Sequence, residues 1–172
     1  MAPLMPALRI LGIDTSLRST GLGVVERDGN RWSAIRYLTL KNPSSWLHSR
    51  CLKRISDDIQ DVITETRPDA ASIEGIFHFK SSRTAVVLGQ ARGAAIAACA
   101  GCGLSIYEYS PRKVKQSICG SGAAHKDQVA KMIAGMLALT KVPPNDETDA
   151  LAIAICHINN LSSVASLAPT EI

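Results

Sequence analysis

The chain has little of several things, and each shortage narrows what it can be. Aromatic residues make up only 4% of it, and both phenylalanines, Phe77 and Phe79, fall in one loop. No apolar run approaches the length that a bilayer crossing requires. Met1 to Ala7 is apolar and proline-broken but has no basic region before it, so no secretory signal is expected. Gly120-Ser-Gly122 is not followed by Gly-Lys-Ser/Thr, which excludes a P-loop. Cysteines are few and odd in number. Cys51, Cys99, Cys102, Cys119 and Cys156 all sit among apolar neighbours, which predicts buried reduced thiols in a cytoplasmic protein rather than a disulfide framework. Cys99 and Cys102 form a C-x-x-C, yet the second ligand pair of a zinc site could come only from Cys156-His157. There is no internal repeat or low-complexity block. A net charge of +4 over 172 residues permits a polyanionic partner without arguing for one.

What is present reads as an ordinary globular balance of 46% hydrophobic and 20% charged residues, enough for one domain over 1–161. The tail from Ser162 to Ile172 is expected to be disordered. Leu8, Ile10, Leu11 and Ile13 form a nearly unbroken apolar run, the pattern of a strand covered on both faces. It ends in Asp14, then a Thr/Ser/Gly turn, then a second strand through Leu22, Val24 and Val25. Asp28-Gly29-Asn30 predicts a hairpin into a third strand over Arg31 to Leu40. Ser44 or Ser45 can cap a helix in which Leu47, Cys51, Leu52, Ile55, Ile59, Val62 and Ile63 follow at helical spacing and which stops at Arg67-Pro68. Ala70 to Glu74 is then most economically a parallel strand beside the first.

A loop with Phe77, Phe79, Lys80 and Arg83 leads into a helix of small residues from about Thr84 to Cys99. Leu104 to Tyr109 predicts a fifth strand. Pro111 opens a short helix with Arg112, Lys113 and Lys115. A further helix over Asp127 to Leu139 puts Val129, Met132, Ile133, Met136 and Leu137 inward. The last helix begins near Asp146. This order predicts an α/β fold, a mixed five-stranded sheet flanked by helices on both faces, which is the plan of the ribonuclease-H-like fold.

Four acids stand out in that plan. Asp146-x-x-Asp149 share one face of a helix and lie in its first turn, where the dipole favours negative charge. Asp14 and Glu74 end two strands expected to be neighbours. Singly, each has another reading: Asp14 a turn residue, Asp146 a helix cap, Asp149 a surface acid. If the last helix docks with its N-terminus over those strand ends, four carboxylates converge and raise one another's pKa values. Hard divalent cations are the natural counter-charge.

Several motifs then fall into line along the chain. They are Gly12-Ile-Asp14 with Thr20-Gly21, Ile73-Glu74 followed by Phe77, and Leu88-Gly-Gln-Ala-Arg-Gly93. Val114-Lys115-Gln116, Gly120-Ser-Gly122, Lys126-Asp-Gln-Val129 and Asp146-Glu-Thr-Asp149-Ala-Leu-Ala-Ile-Ala154 follow. Over Leu8 to His157 this series resembles the RuvC Holliday-junction resolvases. The resemblance implies a homodimeric, Mg²⁺-dependent endonuclease, with Mn²⁺ as a substitute, that nicks two opposed strands of a four-way DNA junction in recombination and repair. It implies Asp14, Glu74, Asp146 and Asp149 as metal ligands at two ions per subunit, and Lys115 and Lys126 near the scissile phosphate. Phe77 is implied to stack on opened bases, and RuvA/RuvB are implied as branch-migration partners.

Arg83, Arg112 and Lys113 are expected to add phosphate contacts. The small-residue face of the Thr84–Cys99 helix is the expected dimer surface. The sequence departs from the family pattern at Thr15-Ser16, where Pro-Gly is usual, and at Gly75, where Gln is usual. Two other classes stay open on the residues alone: a nucleotide-binding enzyme of the actin and sugar-kinase type, and a junction-binding protein without catalysis.

Overall fold

The computed structural model describes residues 7–75, 81–161 and 170–172. Its centre is a sheet built outward from β1 (Leu8–Asp14). β2 (Ser19–Asp28) and β3 (Arg31–Lys41) follow as an antiparallel meander. Gly29 turns the hairpin between them at φ 56°, a conformation that disfavours a side chain. After α1 (His48–Thr66) the chain enters β4 (Ala70–Glu74), parallel to β1 as expected. α2 (Ser82–Gly101) leads to β5 (Ile106–Tyr109), parallel to β4. Then come α3 (Pro111–Cys119), α4 (Lys126–Met136) and α5 (Asn145–Asn160).

Two helix starts follow simple local chemistry. Ser81 and Ser110 each accept a hydrogen bond from a backbone N–H in the first turn, and Pro111 occupies a position whose N–H has no helical partner. α1 is different. It begins after Leu47 with no side-chain cap, so neither Ser44 nor Ser45 serves. It ends where Arg67 turns left-handed, just before Pro68.

Alternation along the strands sorts the core into two layers. Leu11, Ile13, Leu22, Val24, Ala71 and Ile73 face α1 and α2. Ile10, Val25, Ala70 and Tyr109 face α3, α4 and α5. α5 is buried nearly all round, from Thr148 to Ile158, which is the mark of a helix wholly inside the fold.

Several expectations need correction. The sheet has six strands rather than five, in the order β3-β2-β1-β4-β5-β6. Thr170–Glu171 forms β6, antiparallel to β5, and the Ile172 N–H donates to the Ile106 carbonyl at 3.0 Å. These last residues were expected to be disordered. A two-residue strand carries no periodicity to read, and the open edge of β5 recruits it. Met132, expected inward, is 44% exposed. Cys102 is exposed and Cys119 only half-buried, while Cys51, Cys99 and Cys156 are buried as expected. Cys99 lies in the α1/α2 layer and Cys156 in the α5 layer, so the sheet separates the halves of the conceivable zinc site.

α2 also corrects the expectation that no run is long enough to cross a bilayer. By length and composition alone its 20 residues are. The helix packs on α1 through Ala91, Ala95, Ala98 and Cys99, and its Arg92 pairs with Glu108 of β5.

Candidate active site

The site follows from strand parity. On β1, Gly12 and Asp14 point to the α5 side; on β2, Gly21 and Gly23; on β4, Ser72 and Glu74. All but the two acids are small. A methyl group added at Gly12 would overlap the Ala150 carbonyl oxygen, and one at Gly21 the Asp146 carbonyl oxygen. At Gly23 it would stand 2.8 Å from the Leu151 nitrogen. The glycines therefore let α5 lie unusually close to the sheet, with its first turn over the ends of β1 and β2. Ser72 adds a direct tie, its hydroxyl donating to the Ile153 carbonyl at 3.1 Å.

This docking brings the four acids into one electrostatic neighbourhood. Burial first, then Asp149, Glu74 and Asp146 in that order, together push the Asp14 carboxyl up to about 7, with Lys126 acting against the rise. Glu74 is also raised, first by burial and then by Asp149, with Lys126 and Lys115 acting against the rise. Lys126 donates to Asp149 at 3.0 Å, and this bond, with Asp14 and Glu74 nearby, raises the pKa of its ammonium. Glu74, Asp149, Lys115 and Lys126 line a cleft of about 190 Å³ together with Pro111, Val114, Val129 and Ala152.

Asp146 is not a cap. It is the second residue of α5, and its carboxylate accepts a hydrogen bond from the Ser19 hydroxyl, 127 residues away. The turn after Asp14 is held without Pro-Gly by a local pair: the Thr20 hydroxyl donates to the Ser16 carbonyl, and the Ser16 N–H donates back to Thr20 Oγ1. The sequence marked Ser19 only as part of a turn and Thr20 only as part of the Thr20-Gly21 motif. No periodic or motif signal points from Ser19 to a helix so far along the chain.

The expected cations divide. Lys115 and Lys126 line the carboxylate cleft. Arg112 is exposed and Lys113 half-buried on α3, outside the lining. Arg83 is elsewhere, on a 360 Å³ groove with Ser16, Arg18 and His48 at the starts of α1 and α2. Phe77, with Phe79, lies outside the described residues. Among the described residues, no three acidic, histidine or cysteine side chains converge closely enough to hold an ion as they stand. The Lys126 ammonium supplies the positive charge against Asp149 instead.

The family model of the crossover junction endodeoxyribonuclease RuvC matches residues 10–157. The protein of that name from Caldicellulosiruptor saccharolyticus is 42% identical over 159 residues, covering 91% of this chain and 96% of its own. The one from Herminiimonas arsenicoxydans is 44% identical over 165 residues, covering 94% and 91%. Among solved structures, Thermus thermophilus RuvC in complex with a Holliday junction substrate superimposes with a TM-score of 0.85 at 28% identity, covering 96% of this chain and 99% of that one. The fold is accordingly the ribonuclease-H-like one that the order of elements predicted. With a match spanning β1 to the last turns of α5, this chain belongs to the RuvC family of crossover junction endodeoxyribonucleases.

Proposed function

We propose that this chain resolves four-way DNA junctions in recombination and repair. Working as a homodimer, it makes paired, symmetric nicks that leave 5′-phosphate and 3′-hydroxyl ends. Family membership and the likeness to a structure solved on a Holliday junction support this reading. The observation that carries it is the docking of the first turn of α5 over the sheet at the ends of β1 and β4, which brings Asp146 and Asp149 up to the half-buried Asp14 and to Glu74.

The donor set is all carboxylate oxygen, which fits hard cations such as Mg²⁺, with Mn²⁺ as a substitute. Asp14, Glu74, Asp146 and Asp149 would hold two such ions. When bound, they supply the charge stabilisation and water activation of phosphodiester hydrolysis at neutral pH.

The chain's own residues do the rest. Lys126 and Lys115, at the rim of the acidic cleft, neutralise oxygens of the scissile phosphate as charge builds on them. Lys126 exchanges its Asp149 partner for that phosphate. Arg83, Arg112 and Lys113 meet backbone phosphates further out, and Phe77 stacks on a base at the junction centre. Val114, Val129 and Ala152 form an apolar wall that limits water in the cleft. RuvA and RuvB are proposed as partners on kinship alone.

Cleavage of mobile and fixed four-way junctions beside a linear duplex, with and without Mg²⁺, tests the reading. The protein is expected to cut junctions only with the ion, and Glu74→Gln to lose at least about 100-fold in rate while still binding junction. Linear duplex cut as fast as the junction overturns it.

The dimer is proposed to form on α2. Val86, Gly89, Gly93 and Ala97 recur at helical spacing and are all exposed, Val86 by 61%. Sedimentation equilibrium at micromolar concentration is expected to give a dimer for the native chain and a monomer for Val86→Glu. A native monomer removes this surface from the proposal.

A further inference from the structure

One buried polar pair takes no part in the chemistry above. Tyr109 is 4% exposed and His157 1%. The Tyr109 hydroxyl lies 2.7 Å from His157 Nδ1, and the Tyr107 ring packs against the imidazole with centroids 4.4 Å apart. Burying a hydroxyl and an imidazole is costly unless both are satisfied. Two apolar side chains would fill the same space without that demand. What the polar pair adds is a bond of fixed length and direction between β5 and α5.

The backbone of Tyr109 gives that bond its meaning. Tyr109 is the register partner of Glu74 across the β4/β5 ladder. Its carbonyl accepts a hydrogen bond at 2.8 Å from the N–H of Gly75, the residue after Glu74. One residue thus holds the end of β4 by its main chain and α5 by its side chain. Asp149 lies on that same helix, two turns before His157. We infer that Tyr109 and His157 are positioning residues that fix the separation of Glu74 from Asp149 and so set the affinity of the acidic cleft for divalent cations. The inference rests on the metal-dependent reading above.

The state of the pair suits a constant brace. Burial pushes His157 down to about 4 and the Tyr109 hydroxyl upward. At neutral pH the imidazole is therefore uncharged and the hydroxyl protonated; in the tautomer with the proton on Nε2, Tyr109 O–H donates to Nδ1.

Three variants test this: Tyr109→Phe, His157→Phe and His157→Asn, whose side-chain oxygen can take the place of Nδ1. The first readout needs no DNA: the rise in melting temperature as Mg²⁺ or Mn²⁺ is titrated, which gives an apparent ion affinity. Tyr109→Phe and His157→Phe are each expected to weaken that affinity about 10-fold, as loss of a supporting hydrogen bond around a metal site does. They should lower kcat while leaving ion-free junction binding unchanged. The double variant should be no worse than either single one, and His157→Asn should recover most of the loss. Variants that melt earlier but bind the ion as tightly as the native chain overturn the inference, since the pair then serves stability alone. Equal behaviour of His157→Asn and His157→Phe also overturns it. A native chain whose melting temperature does not respond to either ion removes the metal reading itself, and this inference with it.

Discussion

Replacing Asp14 with Asn is expected to make the ion-free protein more stable while stopping junction cleavage. The ordinary carboxyl pKa of 3.8 is lifted to about 7 in the folded chain by burial and by Asp149, Glu74 and Asp146. Between those values the folded state holds a proton that the unfolded chain has released. Stability therefore falls as pH rises from about 4 to about 7, and the loss is complete above that. At about 1.4 kcal/mol per pKa unit the displacement corresponds to roughly 4 kcal/mol, and partial solvent access brings the expected gain for Asp14→Asn at pH 8 to about 2 kcal/mol.

At pH 3 the native and variant chains should melt nearly alike, because the side chain is then largely neutral in both the folded and the unfolded states. Urea unfolding across this range, with a chelator present, measures the slope. The same substitution removes a donor from the centre of the acidic cluster and is expected to cost at least about 100-fold in cleavage. A variant less stable than the native protein at pH 8 would show that Asp14 makes compensating contacts in the ion-free chain.

The second large effect is expected at Gly21. A methyl group there would overlap the Asp146 carbonyl oxygen, which is backbone and has no rotamer to escape into. Either β2 or the first turn of α5 must shift. Gly21→Ala should lose about 3 kcal/mol, the upper end for overpacking in a tight core. Cleavage should fall by about 100-fold even where the protein is folded, because a displacement near 1 Å at a reacting centre is enough for that. Gly135→Ala is the matched control. At Gly135, in α4, an added methyl group meets nothing within 4 Å, so the helix should gain about 0.5–1 kcal/mol and cleavage should not change. Chemical denaturation and junction cleavage on the two variants decide the matter. Equal stability losses at the two positions would remove close approach as the explanation.

These two positions show what can be read from a chain and what cannot. Asp14, Glu74 and the Asp146-x-x-Asp149 pair were legible because each sits at the end of a local pattern: an apolar run, a short strand between a helix and a glycine, a helix start. Gly12 and Gly21 were equally visible, but only as turn and motif residues. Their purpose depends on a helix more than a hundred residues later docking against them. The Ser19–Asp146 and Tyr109–His157 bonds were illegible for the same reason, since no local propensity encodes a partner across the sheet. β6 was missed because two residues have no period. The small residues of α2 suggested a contact face, while no apolar run was expected to be long enough to cross a bilayer, which α2 is by length and composition alone.

α5 completes the acidic cluster, and it is made after the strands that carry Asp14 and Glu74. Asp14 and Glu74 precede Asp146 and Asp149 in the chain, on strands that pair with each other in the finished sheet. A chain without α5 holds only Asp14 and Glu74 of the four acids, and leaves uncovered the glycine track on the sheet where that helix docks. On the proposed function, a copy that stops short of α5 lacks Asp146 and Asp149 and is expected not to cut DNA.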